Sequence, residues 1–341
     1  MSKPEIINCP GTLTKGFSTY SPGCLRNVFN RKKVNHILPY NPPDVSDEDA
    51  KKFFENRKRI SISGVQEKVS IILDKNKLRL TEEKEQGNYI LKPIPRDVKK
   101  VDQVPANEHL TMQIAKQVYG IPTAENALVF FKNGTPAYIT KRFDVKPDGD
   151  KWGKEDFASL AGKTSENSGK DFKYSYSYQA IADLINKYVP AAPIELEKFF
   201  RVMVFNYLFS NGDAHLKNFS LIETSNGDYV LSPAYDLLNT RIHIDDSYLA
   251  LEDGLFKDGY ATESYMANGF YAYDDFLEFG LKIGLNEKRE KRILDVFRSD
   301  KMDEVKSMIS RSYLVDEVKK EYEKAYLERL KALNYSFKKL I

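Results

Sequence analysis

The segment NGDAHLKN, from Asn211 to Asn218, contains an acid, an imidazole, a lysine and two amides within eight residues. It directly follows an apolar run, and a second acid, Asp236, lies beyond a β-hairpin predicted over 219–231. A carboxylate can accept or orient the proton of an attacking hydroxyl group. Amide and carboxylate oxygens are hard ligands that suit Mg²⁺ bound to phosphates. These residue types therefore point to chemistry on a phosphate group.

Each of these residues also has a structural explanation when it is taken alone. Asp213 could form a turn or cap a helix, His215 could be a packed histidine, and Asp236 could be a cap. Independent turns, however, have no reason to reproduce an Asp, an Asn five residues later, a hairpin and a second Asp. Kinases hold and use magnesium with this arrangement. We therefore predict a kinase with Asp213 as its catalytic carboxylate, in which Lys217 offsets charge on the transferring phosphoryl group.

A kinase also needs a lysine on a strand and an acid on the helix that follows it. Lys92 ends the predicted strand of NYILKP, and Glu108 lies in the first turn of a helix predicted from Pro105 to Gly120. The alternative is a surface salt bridge worth at most about 1 kcal/mol. Because Lys92 closes an apolar strand, we expect its side chain to point into the cleft that the sheet borders.

Hydrophobic periodicity divides the chain into two halves. Up to about Asp144 strands dominate, around one helix, and beyond it the pattern is helical, with a core helix predicted from Ile194 to Phe209. Residues 153–177 are rich in Gly, Ser and Lys, which predicts a long mobile segment. We predict an α+β protein with a β-rich N-terminal lobe, 1–143, and a mainly helical C-terminal lobe, 144–341.

Composition limits the classes of partner and compartment. The chain of 341 residues carries 52 Lys and Arg against 49 Asp and Glu, a balance that indicates neither a nucleic-acid nor a membrane surface. No apolar run reaches the length of a membrane span or signal peptide, so we expect a cytoplasmic protein. The two cysteines, Cys9 and Cys24, are too few for a zinc or redox motif, and we expect them to remain thiols.

Four ordered motifs, SISGVQEK, NYILKP, NGDAHLKNF and SPAYDLL, resemble those of the HipA-type serine/threonine kinases, which are toxins of bacterial toxin–antitoxin pairs. The resemblance runs from about residue 57 to 300 and implies a two-lobed kinase fold with ATP and Mg²⁺ in the cleft. Motif by motif, it implies ATP contacts at Ser63, Gly64, Val65, Lys68 and Lys92, a hinge with Lys141 and Phe143, His215 near the nucleotide, and Mg²⁺ ligands at Asn218 and Asp236.

The loop SISGVQEK departs from the phosphate-binding motifs of other kinases. It contains one glycine instead of G-x-G-x-x-G, and the chain has no G-x-x-x-x-G-K-[ST] motif. The candidate groups that donate hydrogen bonds to the phosphates of ATP are therefore Ser61, Ser63, the amides around Gly64, and Lys68. The resemblance implies that the kinase phosphorylates Ser61 or Ser63 on itself. Alternatively, both serines are the outward residues of a strand.

Only sixty residues precede this loop, fewer than in full-length HipA kinases. That length and the SIS triplet resemble the HipT variant, in which a separate small HipS-like protein supplies the missing subdomain beside a helix-turn-helix HipB-like antitoxin. DNA would then be bound only through the antitoxin. The resemblance implies an aminoacyl-tRNA synthetase as the substrate. The small partner could cover an apolar face, although the candidate residues could equally be ordinary core: Phe17, Tyr20, Leu25, Val28 and Phe29.

Three other readings of the motifs remain open. Aminoglycoside- and choline-type phosphotransferases share G-D-x-H-x-x-N, but SISGVQEK argues against a small-molecule substrate. A metallophosphoesterase needs further clusters of His and Asp, and the chain has only four His. A degenerate kinase with a purely binding role is opposed by the intact Lys92, Asp213, Asn218 and Asp236.

Overall fold

The computed structural model describes residues 5–42, 67–96, 98–299 and 301–337. The predictions for Ser61, Ser63, Gly64 and Val65 lie outside these residues. Contacts divide the chain into two compact units that are both discontinuous in sequence. Unit 1 comprises Met1–Ile114, Ala124–Asp150 and Lys306–Lys319, and unit 2 comprises Ala115–Thr123, Lys151–Val305 and Lys320–Ile341.

Unit 1 is built on an antiparallel sheet of five strands in the order β2-β1-β3-β5-β4. The strands are β1 Val69–Asp74, β2 Lys77–Leu80, β3 Tyr89–Lys92, β4 Asn126–Phe130 and β5 Pro136–Lys141. Their registers pair Val69 with Leu91 and Lys92 with Tyr138. The strands predicted in this part of the chain from short apolar runs between turn signals are confirmed.

The N-terminal segment packs its apolar side chains into the core of unit 1. It contains one short helix among the described residues 5–42, α1 Pro22–Asn27, which is capped by Ser21. Tyr20, Val28 and Phe29 are buried in the core cluster. Of the candidate partner face, Tyr20, Val28 and Phe29 are ordinary core, which was the alternative left open for them, whereas Phe17 and Leu25 are partly buried and pack against that core. Cys9 and Cys24 are buried thiols in the same cluster.

The helix predicted from Pro105 is α2, Val104–Gln117. Gly120 follows its end with a φ of 64°, a left-handed conformation that glycine adopts without strain. The segment of α2 up to Ile114 belongs to unit 1. Because this segment carries Glu108, the sheet and α2 of unit 1 together position both members of the predicted Lys–Glu pair.

Unit 2 combines helices with a small antiparallel sheet in the order β6-β7-β8. The strands are β6 Lys154–Asp156, β7 Ser220–Glu223 and β8 Tyr229–Leu231. The helices within unit 2 are α3 Phe157–Leu160, α4 Ser165–Ser168, α5 Tyr178–Tyr188, α6 Ala192–Leu208, α7 Glu263–Asn268, α8 Tyr273–Lys282 and α9 Glu287–Arg298. Two further helices, each divided between the units, are α10 Met302–Arg311 and α11 Asp316–Asn334.

The core helix of unit 2 is α6, which confirms the helix predicted from Ile194 to Phe209. Its apolar face is buried almost completely, with Phe199, Phe200 and Met203 fully enclosed. The hairpin predicted after it is also present as β7 and β8. Helix and hairpin thus flank the segment NGDAHLKN on both sides and fix its ends.

The prediction of a long mobile segment over 153–177 is wrong. Strand β6 pairs with β7 through the register Glu155 to Leu221, and Phe157 is fully buried at the start of α3. This order is not visible in the sequence because the side chains of β6 are largely exposed, so that no apolar alternation marks the strand. Its partner strand lies far along the chain, and pairing over that distance leaves no local pattern.

Within the described residues, none of the helices is long and apolar enough to cross a membrane.

Candidate active site

The segment NGDAHLKN begins where α6 ends. Ser210 takes a φ of 53°, which turns the chain out of the helix. Asn211 is buried, and its backbone and side-chain amides donate to the backbone and side-chain oxygens of Asn206 at 2.8 and 2.9 Å. The last turn of the core helix therefore anchors the loop that carries Asp213.

Gly212 is closely enclosed, so that any larger residue would force its neighbours to shift. A Cβ at this position would lie 2.2 Å from Oδ2 of Asp246. The Gly212 amide donates to the hydroxyl of Thr240 at 2.8 Å, and Thr240 is also hydrogen-bonded to Asp246. Burial raises the pKa of Asp246 to about 6, with a further increase from the nearby Asp213 carboxylate. The glycine thus lets the loop pass directly over the buried hydroxyl of Thr240 and the half-buried carboxyl of Asp246.

Asp213 and Asn218 lie five positions apart and are joined by a turn. The side-chain amide of Asn218 donates to the backbone oxygen of Asp213 at 2.7 Å, and Leu216–Asn218 forms a short 3-10 helix. The side chain of Asp213 is 47% exposed. The turn therefore holds Asn218 in place while it leaves the Asp213 carboxylate accessible to a substrate.

Asn211 connects this turn to Asp236. Its side-chain oxygen accepts from the Asp213 amide at 3.4 Å, and its side-chain amide donates to the backbone oxygen of Asp236 at 3.4 Å. Asp236 has a φ of 57°, a strained conformation for a residue with a side chain. In addition, the Tyr235 hydroxyl donates to the backbone oxygen of Lys217 at 2.9 Å. The motifs NGDAHLKN and SPAYDLL are therefore one hydrogen-bonded unit.

The side chains of Asn218 and Asp236 fit a magnesium ion in their chemistry. The NH₂ group of Asn218 is committed to Asp213, so the atom that this side chain can offer to a metal is its amide oxygen. Amide and carboxylate oxygens are the donors that Mg²⁺ prefers, and Mg²⁺ in phosphate sites commonly takes only one or two protein carboxylates. Among the described residues, no group of three or more His, Cys, Asp and Glu side chains is placed to hold a metal.

His215 is a neutral, buried neighbour of the Asp213 carboxylate. Its Nε2 lies 3.7 Å from Oδ1 of Asp213, and its ring meets the ring of Tyr174 edge-on at 5.1 Å. Burial lowers the pKa of His215 to about 4, an effect that outweighs the opposing charge of Asp213. The imidazole is therefore uncharged at neutral pH, and its contact with Asp213 is not an ion pair.

Lys217 and Tyr174 link the catalytic turn to the segment 153–177. Lys217 Nζ donates to Oδ2 of Asp156 at 2.8 Å, and the Tyr174 hydroxyl donates to Oδ1 of Asp213 at 2.6 Å. Asp156 also caps α3 through Ser159. Sequence reasoning missed both Asp156 and Tyr174, because they lie in the segment that composition predicted to be mobile.

In unit 1, Lys92 and Glu108 form the predicted pair. Lys92 Nζ lies 2.6 Å from Oε1 of Glu108, and their side chains are 3% and 2% exposed. The ammonium also lies 5.4 Å from the centre of the Tyr138 ring. The alternative of a surface salt bridge is therefore wrong. A buried pair of this kind costs about 3–5 kcal/mol to break by removal of one partner.

The remaining predicted contacts of unit 1 lie at strand ends. Lys68 is half-buried directly before β1. Lys141 ends β5, and its ammonium donates to the side-chain oxygen of Asn30 at 2.6 Å. Burial lowers the pKa of Lys141. Phe143 follows, half-buried, beside the ion pair of Arg142 with Asp144.

Comparison with known proteins places this geometry in a family. The profile described as HipA-like C-terminal domain matches residues 60–305. A protein of Haemophilus influenzae named "Putative kinase" is 30% identical over 351 residues, covering 97% of each chain. A protein of Sinorhizobium fredii named "Putative kinase Y4dM" is 33% identical over 227 residues, which cover 61% of this chain and 53% of that protein.

Among solved structures, the chain is similar to HipA of Shewanella oneidensis, which was determined in a complex with HipB and its operator DNA. The TM-score is 0.63 at 20% identity, over 87% of this chain and 73% of that one. At this identity the likeness concerns the fold. It confirms the predicted kinase-like α+β fold, with strands concentrated in unit 1 and helices in unit 2.

Proposed function

Because the chain belongs to the family of HipA-like C-terminal domains, we propose that it is a protein kinase that transfers the γ-phosphoryl group of ATP to serine or threonine. Asp213 would accept the proton of the attacking hydroxyl group. Asn218 and Asp236 would hold Mg²⁺, which when bound offsets the charge of the phosphates. Lys92 would contact the nucleotide phosphates, and Lys217 would face the transferring group.

The observation that carries this proposal is the hydrogen-bonded unit around Asn211. Through its side chain, the backbones of Asp213 and Asp236 are tied together, and Asn218 is tied to Asp213 through its own amide. A carboxylate with a fixed position and two hard oxygen ligands are the groups that phosphoryl transfer requires. The buried pair of Lys92 and Glu108 adds the second element that kinases share.

The test compares Asp213→Asn and Asp236→Asn with a control variant in the hairpin of β7 and β8, which lies between the two residues in the sequence. Asp228 accepts a hydrogen bond from Thr224 in the turn between β7 and β8, so Asp228→Asn removes a carboxylate without touching Asn211 or Asn218. We expect both site variants to lose transfer of radiolabelled phosphate from ATP to proteins of a cell lysate, whereas Asp228→Asn retains it. Near wild-type incorporation by Asp213→Asn would remove the assignment. Transfer to an added aminoglycoside or choline instead would favour a small-molecule phosphotransferase.

We further propose that this kinase is the toxin of a toxin–antitoxin system. The similar Shewanella HipA binds HipB, and we propose a helix-turn-helix HipB-like antitoxin as the partner of this chain, with DNA bound only through it. By the HipA resemblance, the substrate is an aminoacyl-tRNA synthetase whose phosphorylation arrests translation. Phosphoproteomics after brief induction would show one dominant phosphopeptide from the target. A broad spread of phosphopeptides would contradict a dedicated toxin.

Two finer proposals concern the N-terminal part of the chain. We propose that Ser61 or Ser63 is phosphorylated by the kinase itself, which adds about −1.5 to −2 charges a few residues before Lys68 in the sequence. Mass spectrometry should find phosphate on either serine in active protein but not in the Asp213→Asn form, and an unmodified loop in protein that phosphorylates its target would refute this.

We also propose a small HipS-like partner, detectable by co-purification with the products of neighbouring genes. If the chain elutes alone and no neighbour changes its effect on growth, that partner does not exist.

A further inference from the structure

Tyr174 makes the only side-chain hydrogen bond to the Asp213 carboxylate within the part of the chain that the structure describes. Its hydroxyl donates to Oδ1 at 2.6 Å. A hydrogen bond from a neutral donor to a carboxylate at this distance is short and strong. One oxygen of the candidate catalytic group is therefore already committed before any substrate binds.

The backbone around Tyr174 is fixed on two sides. The carbonyl oxygen of Lys173 accepts from the Leu216 amide at 3.1 Å, inside the catalytic turn itself. The carbonyl oxygen of Tyr174 accepts from the Glu252 amide at 3.0 Å. Because both peptide groups are held, the position of the phenol ring follows from the backbone and does not depend on the carboxylate that it contacts.

The ring of Tyr174 is fixed as well. It packs edge-on against His215, with ring centres 5.1 Å apart, and Lys173 Nζ lies 4.9 Å from its centre. Burial raises the pKa of the Tyr174 hydroxyl, and the Asp213 carboxylate raises it further. The phenol therefore keeps its proton at neutral pH and acts as a donor, which excludes it as a base in the reaction.

We infer that Tyr174 is a positioning residue for Asp213, an inference that rests on the proposed kinase function. By holding Oδ1, it selects the side-chain conformation in which Oδ2 accepts the proton of the substrate hydroxyl. A carboxylate that is 47% exposed would otherwise rotate among several conformations. A misplacement of a reacting group by about 1 Å can cost about 100-fold in rate. The loss of the phenol should consequently lower kcat and leave the binding of ATP unchanged.

The experiment compares Tyr174→Phe with Tyr176→Phe. Phenylalanine keeps the ring that packs on His215, so a merely structural role of Tyr174 predicts full activity in Tyr174→Phe. Tyr176 lies two residues further along in the same segment, under the ammonium of Lys163, and is influenced electrostatically by Asp183 and Lys257 instead of by Asp213. The two variants thus share the chemical change and the segment, and differ in the contact with the catalytic group.

For Tyr174→Phe we expect kcat to fall about 10- to 100-fold, the loss associated with one hydrogen bond to a charged group. The KM for ATP should stay within about twofold. Tyr176→Phe should keep both constants within about twofold. Thermal unfolding of both variants checks that each is folded.

Two results would overturn the inference. A folded Tyr174→Phe with the kcat of wild type would show that the phenol only packs. A higher kcat would show that Tyr174 obstructs Asp213 and must leave before the reaction. The wild type and Asp213→Asn are measured in parallel. If the proposed kinase function is wrong, the wild type itself has no kinase activity. If only the inference about Tyr174 is wrong, the wild type is active and Tyr174→Phe matches or exceeds its kcat.

Discussion

Replacement of Glu108 by Gln tests the buried pair of unit 1 most sharply. The substitution preserves volume and replaces a carboxylate 2.6 Å from the Lys92 ammonium by a neutral amide. Both side chains are almost fully buried, at 3% and 2% exposure, so water cannot take over the role of the lost charge. The loss of one partner in such a pair lowers the free energy of unfolding by about 3–5 kcal/mol.

Arg79 and Glu85 provide the matched control in the same unit. Their two hydrogen bonds are both 2.7 Å long, as short as the buried contact, but the side chains are 36% and 26% exposed. Solvent screens this pair, and Glu85→Gln should therefore cost at most about 1 kcal/mol. Distance is thus nearly constant between the two pairs, and burial is what differs.

Urea denaturation, followed by far-UV circular dichroism, measures both variants. A third variant that combines Lys92→Met with Glu108→Leu removes both charges, and should recover most of the stability that Glu108→Gln loses. It should nevertheless lack kinase activity, because the ammonium is gone. Equal losses of stability for Glu108→Gln and Glu85→Gln would refute the reasoning, since burial would then have no effect on the strength of the pair.

Two further predictions concern unit 2. Burial raises the pKa of Glu290 to about 8, and the neighbouring Glu287 raises it further. The folded protein thus retains a proton that the unfolded chain releases near pH 4.3, so stability is full below about pH 4.3 and falls as the pH rises to about 8. Melting temperatures from pH 5 to 9 should show this decline in wild type and a flatter profile in Glu290→Gln; identical profiles would contradict it. Gly212→Ala places a Cβ 2.2 Å from Asp246 and should lower kcat at least about 10-fold. The control is Gly23→Ala, whose Cβ would lie 3.9 Å from Ser21 and which should keep the kcat of wild type. Equal activity of the two variants would show that the loop over Asp246 tolerates displacement.

Much of the fold was visible in the sequence because local patterns carried it. Strands β1 to β5 follow short apolar runs between turn signals, and α6 follows an apolar face repeated at helical spacing. The pairing of Lys92 with Glu108 was predicted from their places on a strand and on the next helix. The burial of this pair was not predicted, because neither position in the sequence shows which residues cover the two side chains.

The contacts that complete the candidate site join residues distant in sequence. Tyr174 lies 39 residues from Asp213, and Asp156 lies 61 residues from Lys217. Neither Tyr174 nor Asp156 belongs to a periodic pattern. The side chains of β6 are largely exposed, so the sequence does not predict the strand that positions Asp156. Asn211 was noticed for its residue type, but the bond from its side chain to the backbone of Asp236 could be found only in three dimensions.

The most direct test of the kinase proposal follows the γ-phosphoryl group itself. Purified protein is incubated with Mg²⁺ and ATP that carries heavy oxygen in its γ-phosphate, together with a cell lysate, and the phosphopeptides are identified by mass spectrometry. We predict heavy phosphate on serine or threonine side chains with wild-type protein and none with Asp213→Asn. Heavy label found only in inorganic phosphate, or label on protein that persists in Asp213→Asn, would contradict it.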